Sequence, residues 1–222
     1  MFRLAPTLRS AAALCLGGTL LAWSPRFHEA QTRMALSRVP TRMATLLRTH
    51  SEALLRGARG LPRDRFPTVE EVEVQFDLVL RLSRERRDFD LIARELGTLA
   101  HQVQLLTDPS CIQGVTPLRD HFEAYGDEML PHLVLTAEPY WELSGVVDPR
   151  PRLLELARVK TERLALLDAH FDERSRKRLV VWDRLSVPFA LLQLSYTSGV
   201  HATANLWIQL YRVAGNGWAP SQ

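Results

Sequence analysis

Cysteine is almost absent: the chain of 222 residues carries Cys15 and Cys111 alone. Cys15 lies in an N-terminal apolar stretch that reads as a removable leader, which leaves one thiol, Cys111, in the remaining protein. No intramolecular disulfide is then possible even in an oxidising compartment, so packing must hold the fold. A dominant charge is lacking too. The 28 basic and 25 acidic residues give a net charge of +3, and the pI of 9.2 reflects arginines closely balanced by acids. That balance argues against specific nucleic-acid binding. There is no Gly-rich phosphate loop, no nucleophile elbow and no paired-cysteine zinc motif. Internal repeats and low-complexity stretches are missing, and no run alternates convincingly with period two, so little or no sheet is expected.

Against these absences stands a composition that is 46% hydrophobic and 24% charged, ordinary for a globular domain and long enough for a sizeable core. The N-terminus has the pattern of a signal peptide over residues 1–22. Arg3 and Arg9 supply positive charge, and Ser10 to Ala22 is uncharged, mostly apolar and too short to span a bilayer. Ala22 is a small residue suited to cleavage; an uncleaved anchor is the alternative, and a lipoprotein reading through Cys15 is weakened by Leu14. Cleavage predicts a secreted or periplasmic protein with residues 23–222 as one domain.

Helical periodicity dominates that domain. Ser24 and Pro25 form a cap and first turn, and this helix should stop near Pro40. Thr41 opens a second helix running to Gly57–Gly60. Thr68 and Glu71 make a capping box for a third. Phe89, Ile92, Leu96, Leu99, Val103 and Leu106 form one apolar stripe behind an Asp88 cap. A short helix covers Arg119 to Tyr125, and Leu153, Leu156, Leu164, Leu167 and Phe171 mark another long one. The basic run Arg174 to Arg178 reads as a solvated helix end, with a phosphate or lipid-headgroup patch as the alternative. Leu185 to Tyr211 carries no formal charge, yet Gln193, Ser195, Thr197, His201, Asn205 and Gln209 favour a helix buried in a bundle over a membrane span. The fold class expected is all-α, a single-domain multi-helix bundle.

Residues able to do chemistry are scattered. If cleavage exposes Trp23, its amine and carbonyl can chelate a divalent metal, and His28 lies just over one turn away to complete the clasp. The plain alternative is a tryptophan at a leader junction and a surface histidine. His101 lies off the apolar stripe, with Gly97 one turn before it leaving room for close approach.

The order of these features resembles the zinc-dependent bacterial phospholipases C and the related single-strand-specific zinc nucleases. The residues that carry the resemblance are W-S-P-R-F-H from Trp23 to His28, then T-x-x-A-L-x-x-V-P through Pro40. A loosened Pro-Asp element follows at Pro62-Arg63-Asp64. Leu96, Gly97, His101 and Pro109 fall in register with a leucine-glycine and H-x-x-x-D-x-x-x-P-x-H motif, and Arg119 to Glu123 with an H-x-x-F/Y-E element. The resemblance implies a helical phospholipase C-like fold and metal ligation by Trp23, His28, Asp64, His101 and Glu123, with a phospholipid or another phosphodiester as ligand.

Departures from the pattern are as informative. The bridging aspartate falls on Leu105, one histidine on Cys111 and another on Arg119, and no histidine occurs between Asp64 and Ala100. His121 and Asp108 are polar but out of register. Leucine cannot bridge two Zn²⁺ ions, and an arginine cannot activate water as zinc does. The expectation is therefore a degenerate member with an incomplete zinc site and little or no phosphodiesterase activity, in which Arg119 pairs with Glu123 one turn on. Two alternatives stand beside it: an active metal-dependent phosphodiesterase with a reduced site, and an unrelated exported helical interaction protein.

Overall fold

A computed structural model describes residues 24–60, 66–112, 116–137, 141, 148–172, 174–214 and 218. The leader expected over residues 1–22, and with it Trp23 and Asp64, lies outside the described residues. Eight α-helices make up the described fold: α1 Pro25–Ala35, α2 Thr41–Thr49, α3 Ser51–Arg59, α4 Val69–Arg84, α5 Phe89–Thr107, α6 Thr116–Met129, α7 Arg150–Asp168 and α8 Val187–Ala214. One two-stranded antiparallel ribbon, β1 Phe171–Asp172 and β2 Lys177–Arg178, pairs Phe171 with Arg178.

Local chemistry sets most helix starts. The Ser24 hydroxyl accepts from the Phe27 amide at the head of α1 and donates to Asp127 of α6 at 2.5 Å. Thr68 and Glu71 form a reciprocal capping box on α4, and Asp88 accepts two amides at the head of α5. These use the orphan amides of a helix terminus.

Helix α5 is the axis of the bundle and packs against α1, α3, α4, α7 and α8. Its approach to α3 is unusually close. A Cβ at Gly97 would lie 1.9 Å from the Leu54 carbonyl oxygen, and one at Gly57 1.9 Å from that of Arg94. Only glycine on both helices permits this backbone contact. The room expected at Gly97 is thus taken up by α3.

The uncharged C-terminal stretch is a buried helix. Every residue of α8 from Ser195 to Leu210 is buried, and the Trp207 indole donates to the Leu96 carbonyl of α5 at 3.2 Å. Among the described residues no helix is long and apolar enough to cross a membrane.

Several boundaries differ from expectation. The helix expected from Thr41 to Gly60 is two, divided at His50. The short helix around Arg119 starts at Thr116 and runs to Met129. Helix α7 ends at Asp168, so Phe171 belongs to β1, and Arg174 to Arg178 is the turn and second strand of the ribbon, not a helix end. Arg176 has a positive φ of 53° there, the left-handed geometry that reverses a chain and cannot propagate a helix.

Candidate functional site

Two of the candidate ligands meet. His28 projects from the second turn of α1 and His101 from the middle of α5, and their rings stack with centroids 4.0 Å apart and 20° between planes. His28 is buried, which removes the surface-histidine alternative. Its Nδ1 lies 2.7 Å from Gln104 Oε1, while Gln104 Nε2 donates to Thr32 at 3.1 Å. His101 Nδ1 lies 2.5 Å from the Ala58 carbonyl oxygen, within reach because of the glycine contact between α3 and α5. A carbonyl oxygen only accepts, so each Nδ1 holds the proton and each Nε2 is the accepting nitrogen.

Both rings are neutral near pH 7. Burial lowers the His28 pKa well below 6.5, the neighbouring His101 lowers it further, and the Gln104 contact opposes. Burial brings His101 down to about 4, against a smaller upward effect of the Ala58 carbonyl. Neutral imidazoles whose Nδ1 proton is fixed by a carbonyl have the form that metal-bound histidines take.

The next turns of α5 hold a different arrangement. Leu105, one turn beyond His101, is buried, and its carbonyl accepts from Lys160 Nζ of α7 at 3.2 Å. Lys160 is only 7% exposed. Asp108 ends α5 fully buried, and its Oδ1 accepts from the Ser110 amide at 2.8 Å and hydroxyl at 2.7 Å. Asp108 Oδ2 has no hydrogen-bond partner among the described residues. Burial raises this carboxyl to about 6, in spite of the Ser110 contacts and the Lys160 and Arg119 charges that oppose it.

Cys111 lies in the same neighbourhood. Burial pushes its thiol up to about 12, with Lys160 and Arg119 opposing and Asp108 and Glu123 adding. Arg119 and Glu123, one turn apart on α6, form the expected ion pair at 3.6 Å between Nε and Oε1. The Arg119 guanidinium also lies 5.6 Å from the centroid of the Phe66 ring. Leu105, Cys111, Arg119 and Glu123 thus share one buried charged neighbourhood with Asp108 and Lys160. His121 faces away, against the Phe171 ring at 5.0 Å.

The described part of this donor set, without Trp23 and Asp64, does not make up a multi-zinc cluster. The Cys111 thiol, held at about 12 by burial, is protonated in the metal-free protein. Lys160 and Arg119 bring basic groups beside the buried Asp108 and Cys111. Among the described residues, no group of three or more His, Cys, Asp or Glu side chains is placed to hold a metal ion. A cavity of about 320 Å³ opens elsewhere, lined by Arg38, Trp141 and Arg212 among others and by none of the candidate residues.

Compared with protein-family models, curated proteins and solved structures, the chain matches none. The family reading therefore rests on the residues themselves. Lys160 and Gln104 are the site residues that motif reading passed over, and Asp108 is the one it set aside as out of register. Lys160 alone carried a compositional hint, as one of two lysines among 28 basic residues.

Proposed function

We propose that this chain is an exported, degenerate relative of the zinc-dependent phospholipases C and single-strand zinc nucleases. In this reading it keeps a helical scaffold and a histidine pair, and protein cations replace the multi-metal centre. The supporting observation is the Lys160 ammonium on the Leu105 carbonyl, 3.2 Å away, at the position where the family pattern calls for a metal-bridging aspartate. Lys160 and Arg119 supply beside Asp108 and Glu123 the positive charge that metal ions would otherwise bring. They balance charge without lowering the pKa of a water molecule or clamping two reacting oxygens. Phosphodiester hydrolysis at rates near those of zinc enzymes is therefore not expected. A phospholipid or other phosphodiester remains the proposed ligand class, because a guanidinium and an ammonium can both hold phosphate oxygens.

Elemental analysis of the purified protein, beside turnover of phosphatidylcholine and single-stranded DNA with and without added Zn²⁺, tests this reading. The expected result is no stoichiometric zinc and no zinc-dependent turnover. Turnover abolished by a chelator and by His101→Ala would replace it with the second reading, an active enzyme with a reduced metal site. One observation favours that second reading: both stacked imidazoles hold the tautomer in which Nε2 accepts.

A further inference from the structure

The segment after the β-ribbon exposes its apolar side chains. From Leu179 to Val187, five aliphatic residues face solvent: Leu179, Val180, Val181, Leu185 and Val187, with Val181 80% and Leu185 97% exposed. Isolated exposed aliphatics need no explanation, but five in nine residues form a patch of the kind that marks an interaction surface.

The exposure is built in. Trp182, in the middle of the segment, is turned inward and buried against Phe122, Tyr125 and Phe171. The Arg178 guanidinium covers its ring at 4.6 Å. The Leu179 amide donates to the His170 carbonyl at 3.0 Å. Asp183 closes a tight turn, its side chain accepting from the Leu185 amide at 2.9 Å and its carbonyl from the Ser186 amide at 3.2 Å and the Tyr125 hydroxyl at 2.9 Å. With the aromatic anchor inside and the backbone pinned, Val181 and Leu185 on either side of the turn are directed outward.

Charge around the patch has one sign in excess. Residues 171–187 contain Arg174, Arg176, Lys177, Arg178 and Arg184 against Asp172, Glu173 and Asp183. Asp172 is engaged with Ser175 and the Arg174 amide, and Asp183 with its own turn. Arg174, Arg176, Lys177 and Arg184 are exposed. Short aliphatic tips beside unengaged cations, with the aromatic ring withheld, differ from the Trp- and Tyr-centred anchors of protein interfaces. They match what penetrates the headgroup layer of an anionic bilayer, where apolar side chains enter the acyl boundary and basic residues meet lipid phosphates.

We propose that the Leu179–Val187 loop is a membrane-docking element: Val181 and Leu185 insert into the outer layer of an anionic lipid surface, and Arg174, Arg176, Lys177 and Arg184 contact its headgroups. The docking requires no catalysis and stands whether or not the proposed family reading does.

Hydrogen–deuterium exchange of the full chain, with and without vesicles of equal parts phosphatidylcholine and phosphatidylglycerol, locates the contact. The expected result is new protection confined to residues 174–187, weaker with phosphatidylcholine alone and lost at high salt. Val181→Asp/Leu185→Asp should lower co-sedimentation with the mixed vesicles by about tenfold or more, with helical circular dichroism and unfolding midpoint unchanged because both side chains are already in water. Arg176→Glu/Lys177→Glu should remove the preference for anionic vesicles. Absence of protection in this segment overturns the proposal, as does equal binding by the aspartate variant. Protection that grows with protein concentration without lipid and disappears in that variant also overturns it, assigning the patch to a second copy of the chain.

Discussion

The imidazoles of His28 and His101 stack at 4.0 Å while each gives its Nδ1 proton to a carbonyl on a third group, Gln104 for one and Ala58 for the other. Two rings so close cannot both be charged without strong repulsion, and both are buried, which disfavours the charged form further. The pair is therefore a neutral element of the core at physiological pH, and its cost appears in acid.

Stability should fall as pH drops from about 6.5 toward 4. In the unfolded chain both histidines take up protons near 6.5, whereas in the native state His101 waits until about 4 and His28 is also held well below 6.5. The unfolded state then binds more protons, which lowers stability as pH falls. Asp108 acts in the opposite sense between about 6 and 3.8, because the native state protonates it first. Two histidines against one aspartate leave a net loss of about 1.4 kcal/mol per pH unit at most. Urea unfolding between pH 7 and 4.5 reads this slope. His28→Gln should flatten it, and an unchanged slope in that variant would show that His28 titrates normally.

Gly97→Ala should destabilise the protein by about 3 kcal/mol. The added methyl would lie 1.9 Å from the Leu54 carbonyl oxygen, which is backbone and cannot rotate away. Separating α3 from α5 also withdraws the Ala58 carbonyl from His101. The measurement is the urea midpoint, with Thr98→Ala on the neighbouring position as a control expected to change it little.

Lys160→Met should cost about 2 kcal/mol at pH 7, the scale for losing a charged donor to a buried acceptor, here the Leu105 carbonyl. The buried Asp108 would then lose the nearby ammonium and keep the Arg119 guanidinium. Because Asp108 becomes neutral below about 6, the cost of the substitution should shrink between pH 7 and 5. A cost independent of pH would mean that Lys160 acts by packing. Adding Leu105→Asp to Lys160→Met places a carboxylate where the proposed family pattern has its bridging aspartate and removes one opposing cation, yet Arg119 and Cys111 remain. Zinc-dependent turnover should still not appear, and its appearance would show that the scaffold needs only these two changes.

Cys111 should resist thiol reagents in the native protein. Its thiol is buried and held near 12, so both access and thiolate fraction are low. Modification by an aromatic disulfide should track unfolding across a urea titration. Fast stoichiometric labelling without denaturant would place Cys111 at an open surface.

Most of the helical frame was legible because local signals set it. The Asp88 cap and the stripe from Phe89 to Leu106 reproduce α5, and Thr68 with Glu71 reproduces the head of α4. The break at His50 was not readable, since neither proline nor glycine marks it. Its position reflects tertiary contacts of the ring, which bonds to Asp90 at 2.7 Å and tilts against Phe89 at 4.8 Å. The ribbon at 171–178 was hidden by its charge, which resembles a helix end and gives no period. In the site, the His28–His101 pairing was foreshadowed by motif register. Lys160 was not, because 55 residues separate it from Leu105 and no spacing rule links an α7 side chain to an α5 carbonyl. Gln104 was passed over for the same reason: its role depends on α1 lying across it.

The burial of α8 also sets an order of events. Helix α8, buried from Ser195 to Leu210 and packed on α1, α4, α5 and α7, occupies residues 187–214 and is therefore synthesised after the helices it packs against. Until it leaves the ribosome, Leu96 has no indole to accept and the inward faces of four earlier helices have nothing to close on. The nascent chain can form helical segments and the local α3–α5 contact, but it lacks the element that makes the assembly cooperative. Cooperative folding of the described bundle thus waits for α8. A stop codon before residue 187 leaves an open set of helices with exposed apolar faces, whereas trimming after residue 218 removes nothing that the described core uses.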